Sequence, residues 1–415
     1  MIPDTDSINK SDRSLLLFTG AITFLLCLLV PVSMLAPRIL GTGPAVLGII
    51  LLGGVFLIKK AELQGKANNF FLIIALCIPA LAACSAFWSL DSGFALERSG
   101  KIAAMLLGGY ALFIGLKSVG ANTLSKMLPI ALTLSAAICL GELLSEGWLY
   151  HTWRGEDPSI SQGNVSMMNR AVVFLTLMTP LGLYALSQSA WPENTKKSMA
   201  AFLILLMTAV AVFTDSQSCH MAIVVMAVFW LAFPVQRPKI WMILSALICM
   251  GILAMPWIVQ FLYNSLAMYM REAHWLAEAY AADRLEIWDF VARKALEQPF
   301  YGFGIEATRH IEHFDTAKLY TPHDHVLHPH NAVLQIWIEF GLAGALALCA
   351  LITTMLYKLS KIEDVDAKKL CLAVFMAICA VGCTAYGVWQ SWWLGSITLI
   401  VAICGRYVSL KQKGH

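Results

Sequence analysis

Arg284 stands in a stretch of sequence that predicts a phosphate-binding helix end. The sequence Asp-Arg-Leu-Glu opens a helical pattern, with Asp283 as the expected N-cap and Glu286 as its capping-box partner. Apolar residues then recur on one face, and Pro299 follows the end of the pattern. The first turn of a helix favours an anion, and a guanidinium placed there strengthens such a site. We interpret Arg284 as a phosphate ligand; a solvated arginine at a helix end is the alternative.

His330 lies at the start of another predicted helix, in the sequence His-Pro-His-Asn. Pro329 suits a first helical position because its missing N–H would have no intrahelical partner there. This places His328 at the cap and His330 in the opening turn, where the positive helix end keeps the imidazole neutral. A neutral imidazole accepts a proton, so we interpret His330 as a general base. A structural histidine, or a zinc ligand together with its neighbours in His-x-His pairs (His323, His325 and His328), are the alternatives.

The elements that position these residues are predicted to be membrane spans. The chain has 415 residues, of which 59% are hydrophobic and only 13% are charged. Soluble domains are nearer a quarter charged, so this composition excludes an ordinary soluble protein, and it is too apolar for a disordered chain. The net charge of +3 is too small to indicate a nucleic-acid partner. The 11 cysteines fall in or beside apolar runs, as expected of small buried hydrophobic residues.

Twelve apolar runs predict transmembrane helices, since one bilayer crossing takes about 20 residues. The runs lie near 14–36, 39–58, 69–89, 98–117, 124–147, 169–188, 198–214, 218–234, 239–262, 330–357, 368–389 and 392–410. The first run is too long for a signal-peptide core, so we expect an uncleaved anchor. The predicted fold class is an all-α polytopic membrane protein in contact with membrane lipids.

One long polar segment divides the predicted spans into two groups. Residues 1–262 hold spans one to nine, residues 263–329 form a loop domain with short helices, and residues 330–415 hold spans ten to twelve. Of the 29 lysines and arginines, 18 fall in the tails and short loops of one side, and loops rich in positive charge stay in the cytoplasm. We therefore expect both termini in the cytoplasm, and Arg284 and His330 on the outer face.

Lysine and arginine divide unequally between the two sides of this topology. Fifteen of the 18 lysines fall on the cytoplasmic side, whereas eight of the 11 arginines fall on the outer side. Topology needs only positive charge, but a planar guanidinium fork also suits phosphate oxygens. Four outer arginines are therefore candidates to complete an anion site with Arg284: Arg98, Arg154, Arg170 and Arg309. Pairing of these arginines with acidic loop residues is the alternative: Glu156, Asp157, Glu272 and Asp283.

Few ionisable residues fall within the predicted spans. Glu339 lies in span ten, and four others lie near the outer ends of spans: Glu142, Glu146, Asp215 and His220. A proton or ion path requires acids nearer the bilayer midplane, on several helices. This distribution favours an enzyme at the membrane surface over a flippase or an anion transporter, which stays the alternative from another class.

Two stretches resemble the O-antigen ligase and polymerase superfamily. Residues 328–344 read HPHNAVLQIWIEFGLAG, which is similar to the family's His-Asn, Leu-Gln and Glu-x-Gly signature. Residues 283–304 read DRLEIWDFVARKALEQPFYGFG and resemble its upstream element, an Arg followed by Ile-Trp, a helix, a Pro and a Gly-x-Gly turn. Beside the base, the first match assigns supporting roles to four residues: His328, Asn331, Gln335 and Glu339.

The resemblance implies a GT-C-type glycosyltransferase of the bacterial inner membrane that is inverting and needs neither a metal nor a cofactor. Its donor would be an O-antigen polysaccharide on undecaprenyl pyrophosphate, and its acceptor a sugar of the lipid A–core on the periplasmic face. His330 would deprotonate the acceptor hydroxyl and Arg284 would hold the pyrophosphate. An O-antigen polymerase and a protein O-oligosaccharyltransferase of the same superfamily are the alternatives.

The chain departs from the family pattern at one place. Family members often carry a Ser-Arg-Gly-like element at the start of a middle span, whereas residues 214–219 read TDSQSC, with Gln217 in the place of the arginine. If that arginine contacts the donor elsewhere in the family, Arg154 or Arg170 is expected to replace it here.

Overall fold

The structure is a computed structural model, and it describes residues 10–59, 69–157, 166–272, 281–311 and 326–411. Over these ranges it contains 14 α-helices and no β-strand, which confirms the all-α fold class. The helices are α1 (Lys10–Leu35), α2 (Ile39–Ile58), α3 (Asn69–Cys84), α4 (Ser92–Gly115), α5 (Ala121–Leu144), α6 (Trp148–Arg154), α7 (Asn169–Ser187), α8 (Glu193–Phe213), α9 (Gln217–Leu231), α10 (Pro238–Glu272), α11 (Ala281–Ala295), α12 (Ala332–Ser360), α13 (Val365–Gly382) and α14 (Ser391–Lys411).

Ten helices in the described part of the chain are long and apolar enough to cross a membrane. Two further predicted spans are also helical but do not meet that standard: α9 has only 15 residues, and α13 has 18 residues with charged residues in its first turns. Many large apolar side chains face outward from these helices, as expected where the surrounding solvent is lipid. The chain is therefore a multi-pass membrane protein.

The helices pack around α7, which is apolar on all sides and contacts α1, α5, α8, α9, α13 and α14. Close helix pairs elsewhere depend on small residues. A Cβ atom added to Gly48 of α2 would lie 2.4 Å from the Gly108 carbonyl oxygen of α4. Membrane helices use such positions to bring their backbones together.

Four elements position the candidate site at one end of the helix bundle. Helix α11 packs against α10 and α12, and α12 packs against α13, whose connection to α14 lies at the same end. At the other ends of these helices, Lys117 follows α4 and Lys358 lies in the last turn of α12, and both line a cavity of about 280 Å³. The lysines predicted to face the cytoplasm and the candidate site thus lie at opposite ends of the same helices.

Candidate active site

The two stretches that resemble the family interlock in the structure. The turn at 299–304 lies in a kink of α12 at Gly341, and the Leu342 N–H donates to the Pro299 carbonyl at 2.7 Å. In return the Gly304 N–H donates to the Glu339 carbonyl at 2.9 Å. Gly341 has φ +57°, and a Cβ atom there would lie 2.6 Å from the backbone of this turn. The sequence predicted only a turn at 301–304; the structure shows it as the partner of the α12 kink.

Asn331 caps α12, which begins at Ala332, and this corrects the predicted helix start. Its side-chain oxygen accepts from the N–H groups of Val333 and Leu334 at 3.0 and 3.1 Å, so Asn331 is the N-cap. The predictions that His328 caps the helix and that His330 lies in its opening turn were wrong. Asparagine is a preferred N-cap because its short side chain reaches two N–H groups without intrahelical partners. His330 instead precedes the cap in a left-handed conformation, with φ +54°.

His330 is held in one tautomer by the backbone of a neighbouring segment. Its Nδ1 lies 2.6 Å from the Ala385 carbonyl oxygen, which can only accept, so Nδ1 carries the proton and Nε2 keeps a lone pair. Burial lowers the pKa of His330; the hydrogen bond to Ala385 partly opposes this shift, and the charge of Arg284 adds to it. The ring is therefore neutral near pH 7 and can accept a proton at Nε2.

His328 packs beside this ring, with the two ring centroids 4.2 Å apart. Its Nε2 lies 2.7 Å from the Gln390 amide nitrogen, which donates, since the amide oxygen accepts from Trp392. Burial lowers the pKa of His328 to about 3, and the electrostatic influence of His330, Arg309 and Arg170 contributes. His328 is thus a neutral neighbour that supports the position of His330.

Arg284 lies half-buried in the first turn of α11 without a carboxylate within ion-pair distance among the described residues. One guanidinium nitrogen donates to the Thr384 carbonyl at 3.0 Å. Burial lowers the pKa of Arg284, because no opposite charge compensates the guanidinium. The predicted cap was wrong: α11 already includes Ala281, so Asp283 lies inside the first turn. The uncompensated charge beside His330 is what an anion site requires.

Arg170 and Arg284 both lie near Tyr386. Arg170 is exposed at the start of α7, with its guanidinium 5.9 Å from the Trp392 ring, and no carboxylate in the described ranges pairs with it. The charges of Arg170 and Arg284 both act on the Tyr386 hydroxyl, although burial is the larger effect and raises the pKa of that group. The hydroxyl donates to the Asn169 carbonyl at 3.4 Å, a long hydrogen bond. Sequence reasoning missed Tyr386.

Arg98 and Arg309 share one buried carboxylate. Glu306 is 3% exposed and has φ +58°; its two oxygens lie 2.9 Å from Arg98 and 2.7 Å from Arg309. Both arginines are therefore ion-paired beside the site, with less capacity for a phosphate than Arg284 has. Arg98 and Arg309 thus pair with an acidic residue, as the alternative to phosphate binding predicted. Their partner Glu306 was not among the acidic residues considered.

Arg154 lies in a cluster of its own loop. Its guanidinium lies 2.7 Å from both the Glu156 carboxylate and the Tyr150 hydroxyl. Glu142, one of the acids near a span end, accepts from the N–H groups of Leu149 and Tyr150 and so caps α6. The structure thus shows the pairing of Arg154 with Glu156 that was the alternative to phosphate binding.

The described residues contain no group of three or more His, Cys, Asp or Glu side chains that could hold a metal ion. Two of the histidines considered as partners of His330 in a zinc site, His323 and His325, lie outside the described residues.

Residues 202–349 match the model of a family described as O-antigen ligase. Three similar proteins carry the provisional name polysaccharide ligase. One from Rickettsia conorii is 28% identical over 233 residues, which span 54% of this chain and 56% of the relative. One from Rickettsia felis is 22% identical over 354 residues, 81% of this chain and 82% of the relative. One from Rickettsia prowazekii is 31% identical over 129 residues, about a third of each protein.

Proposed function

We propose that this chain, a member of the O-antigen ligase family by its residues 202–349, transfers a polysaccharide from undecaprenyl pyrophosphate to a sugar of the lipid A–core. The observation that carries the proposal is the neutral His330 ring, with a free lone pair on Nε2, beside the uncompensated guanidinium of Arg284. A base and a charge for the leaving group are the two requirements of transfer from a lipid pyrophosphate.

In the proposed reaction the acceptor hydroxyl gives its proton to His330 Nε2 as its oxygen attacks the anomeric carbon of the donor sugar. The bond from that carbon to the pyrophosphate oxygen breaks, and the leaving group keeps the electron pair. Attack opposite the leaving group inverts the anomeric configuration. Arg284 stabilises the charge that grows on the pyrophosphate, because its fork is fixed before the reaction.

Arg170 is the best second ligand for the pyrophosphate. Its charge, like that of Arg284, acts on Tyr386, and no described carboxylate holds it. Arg170 can also replace the family's middle-span arginine, whose place is taken here by Gln217. Gln217 begins α9, and α9 packs against α7, which carries Arg170. Arg98 and Arg309 have Glu306 as their partner, and we assign them to shaping the site around the pyrophosphate.

We place the site on the periplasmic face of the bacterial inner membrane, with both termini in the cytoplasm. The support is the distribution of charge: Lys117 and Lys358 lie at one end of the bundle, and Arg284 and His330 at the other. A site at the membrane surface can receive two lipid-anchored substrates from the outer leaflet.

The test is transfer by purified protein in liposomes that contain the lipid-linked polysaccharide, with and without lipid A–core. Polysaccharide on lipid A–core, formed also in the presence of a chelator and with inverted linkage by NMR, is the expected product. Longer chains on the carrier lipid, without need of lipid A–core, would indicate the O-antigen polymerase instead. Transfer to a protein hydroxyl would indicate the O-oligosaccharyltransferase.

A transporter predicts another result from the same liposomes. Labelled donor or anion would cross the bilayer, and no new glycosidic bond would form. Movement without transfer, at any acceptor concentration, would refute the proposed glycosyltransferase.

A further inference from the structure

The segment 384–390, which connects α13 to α14, binds both residues to which the proposed function gives chemistry. The Thr384 carbonyl accepts from Arg284 at 3.0 Å, and the next carbonyl, that of Ala385, accepts from His330 Nδ1 at 2.6 Å. Only one residue, with its two soft backbone dihedral angles, separates these consecutive carbonyl groups. The position of the guanidinium relative to the imidazole therefore depends on the placement of this one segment.

The other half of the segment is tied to two side chains of α12. The Val388 N–H donates to Gln335 Oε1 at 2.9 Å, and the Trp389 indole donates to Glu339 Oε2 at 2.6 Å. Gln335 Nε2 in turn donates to Glu339 Oε1 at 2.8 Å. Glu339 thus joins both anchoring points of the segment.

Glu339 contacts the turn at 299–304 and its continuation as well. The Gly304 N–H donates to the Glu339 carbonyl at 2.9 Å, and the backbone of Glu306, two residues further on, lies near the Glu339 carboxylate. Because Glu306 also pairs with Arg98 and Arg309, one buried carboxylate connects the segment 384–390 to the ion pairs beside the site.

The surroundings of Glu339 decide between a direct and an indirect role. Its side chain is 0% exposed, and the partners that the described residues supply to its carboxylate are both donors, an amide and an indole. An acceptor sugar cannot reach a carboxylate that is enclosed in this way. The role left to Glu339 is to hold its donors in place.

We infer that Glu339 is a positioning residue, which acts on His330 and Arg284 through the segment 384–390. The inference rests on the proposed function, since it concerns the geometry of the proposed base and pyrophosphate ligand. The carboxylate is required because every partner donates. An amide at this position turns an NH₂ group towards a donor and leaves one buried group without an acceptor.

The test is a pair of variants in the purified transfer assay. Glu339→Gln places two amide NH₂ groups against each other, whereas the exchange Q335E with E339Q restores one donor facing one acceptor. We expect Glu339→Gln to lower kcat about tenfold or more, and the exchange to recover a large part of the loss. The control is Glu363→Gln, an exposed position near the far end of α12, which should match wild type.

The pH profile separates positioning from mere support of the fold. A loosened segment admits water to His330, so the pKa of the ring rises towards its ordinary value and the acid-side fall in kcat/KM moves to higher pH. In a purely structural role, folded Glu339→Gln protein keeps the wild-type profile. That result, or wild-type kcat in the single variant, would overturn the inference.

Failure of the proposed function gives a different pattern. In that case wild type itself shows no transfer from the lipid pyrophosphate donor. Wild-type transfer together with an exchange variant no better than Glu339→Gln would leave the proposed function intact and refute the positioning role.

Discussion

Replacing Arg284 with lysine tests whether a guanidinium fork, rather than a positive charge alone, holds the pyrophosphate. The guanidinium has five N–H donors and gives one to the Thr384 carbonyl at 3.0 Å, which leaves the others for a ligand. Lysine keeps the charge, but one ammonium cannot bind this carbonyl and two phosphate oxygens in the geometry of the fork.

We expect Arg284→Lys to lose about one charge-assisted hydrogen bond, which is worth roughly 1.5–3 kcal/mol. At about 1.4 kcal/mol for each tenfold, this loss lowers kcat/KM for the donor roughly ten- to a hundredfold. The measurement is the initial rate of transfer with the donor varied at saturating acceptor, on protein shown to be folded by its melting temperature.

Arg293→Lys is the matched control, because Arg293 lies on the same helix and is half exposed. Its guanidinium pairs with Asp289 at 2.9 Å, one turn away, and has no contact with the site. We expect Arg293→Lys to change kcat/KM for the donor less than twofold, which is about the effect of a surface ion pair. Equal losses of kcat/KM in both variants, or a loss of less than about twofold for Arg284→Lys, would show that a positive charge alone is sufficient to bind the pyrophosphate.

Three further substitutions test other parts of the site. His330→Ala should lower kcat by about a hundredfold or more in folded protein. Full activity of this variant would refute the assignment of His330 as the general base. Because burial lowers the pKa of His330, the neutral ring persists as the pH falls, so the acid-side midpoint of kcat/KM should lie below about 6.5; a midpoint above it contradicts the assignment. Arg154→Lys should change activity less than about twofold, because Arg154 pairs with Glu156 and Tyr150. A tenfold loss of activity would indicate that Arg154 is a pyrophosphate ligand. Gly341→Ala should cost about 2 kcal/mol or more of stability, since its Cβ atom meets the turn at 299–304 at 2.6 Å, whereas Gly251→Ala, with nothing within 4 Å, should melt like wild type.

The helices could be predicted because the demand of the bilayer is local. Each crossing needs a run of apolar residues, and such runs can be read directly from the chain. The end of α10 could not be read in this way: the helix runs to Glu272, beyond the predicted span end at 262, over residues that are no longer uniformly apolar. Hydropathy finds where a helix crosses the membrane, not where it stops.

The start of α12 shows two local signals in competition. Pro329 favoured a start at that residue, but the side chain of Asn331 satisfies two backbone N–H groups and fixes the start three residues later, at Ala332. Weighing asparagine above proline would have given the correct cap. The role of His330 as a base stays a prediction, and its physical support is now burial rather than the helix end.

The partners of the arginines depend on tertiary structure. Glu306 reaches Arg98 from a position far along the chain, and it does so in a left-handed conformation that no local pattern indicates for glutamate. The segment 384–390 was missed for another reason. It acts through backbone carbonyls, which every residue carries, so its sequence bears no signature of that role.

A structure of the protein with an undecaprenyl pyrophosphate donor bound is the most direct measurement of the central claim. The account predicts phosphate oxygens within about 3 Å of the Arg284 guanidinium, with Arg170 on the same headgroup and the anomeric carbon facing His330 Nε2. A headgroup bound near Lys117 and Lys358, at the other end of the bundle, would contradict it.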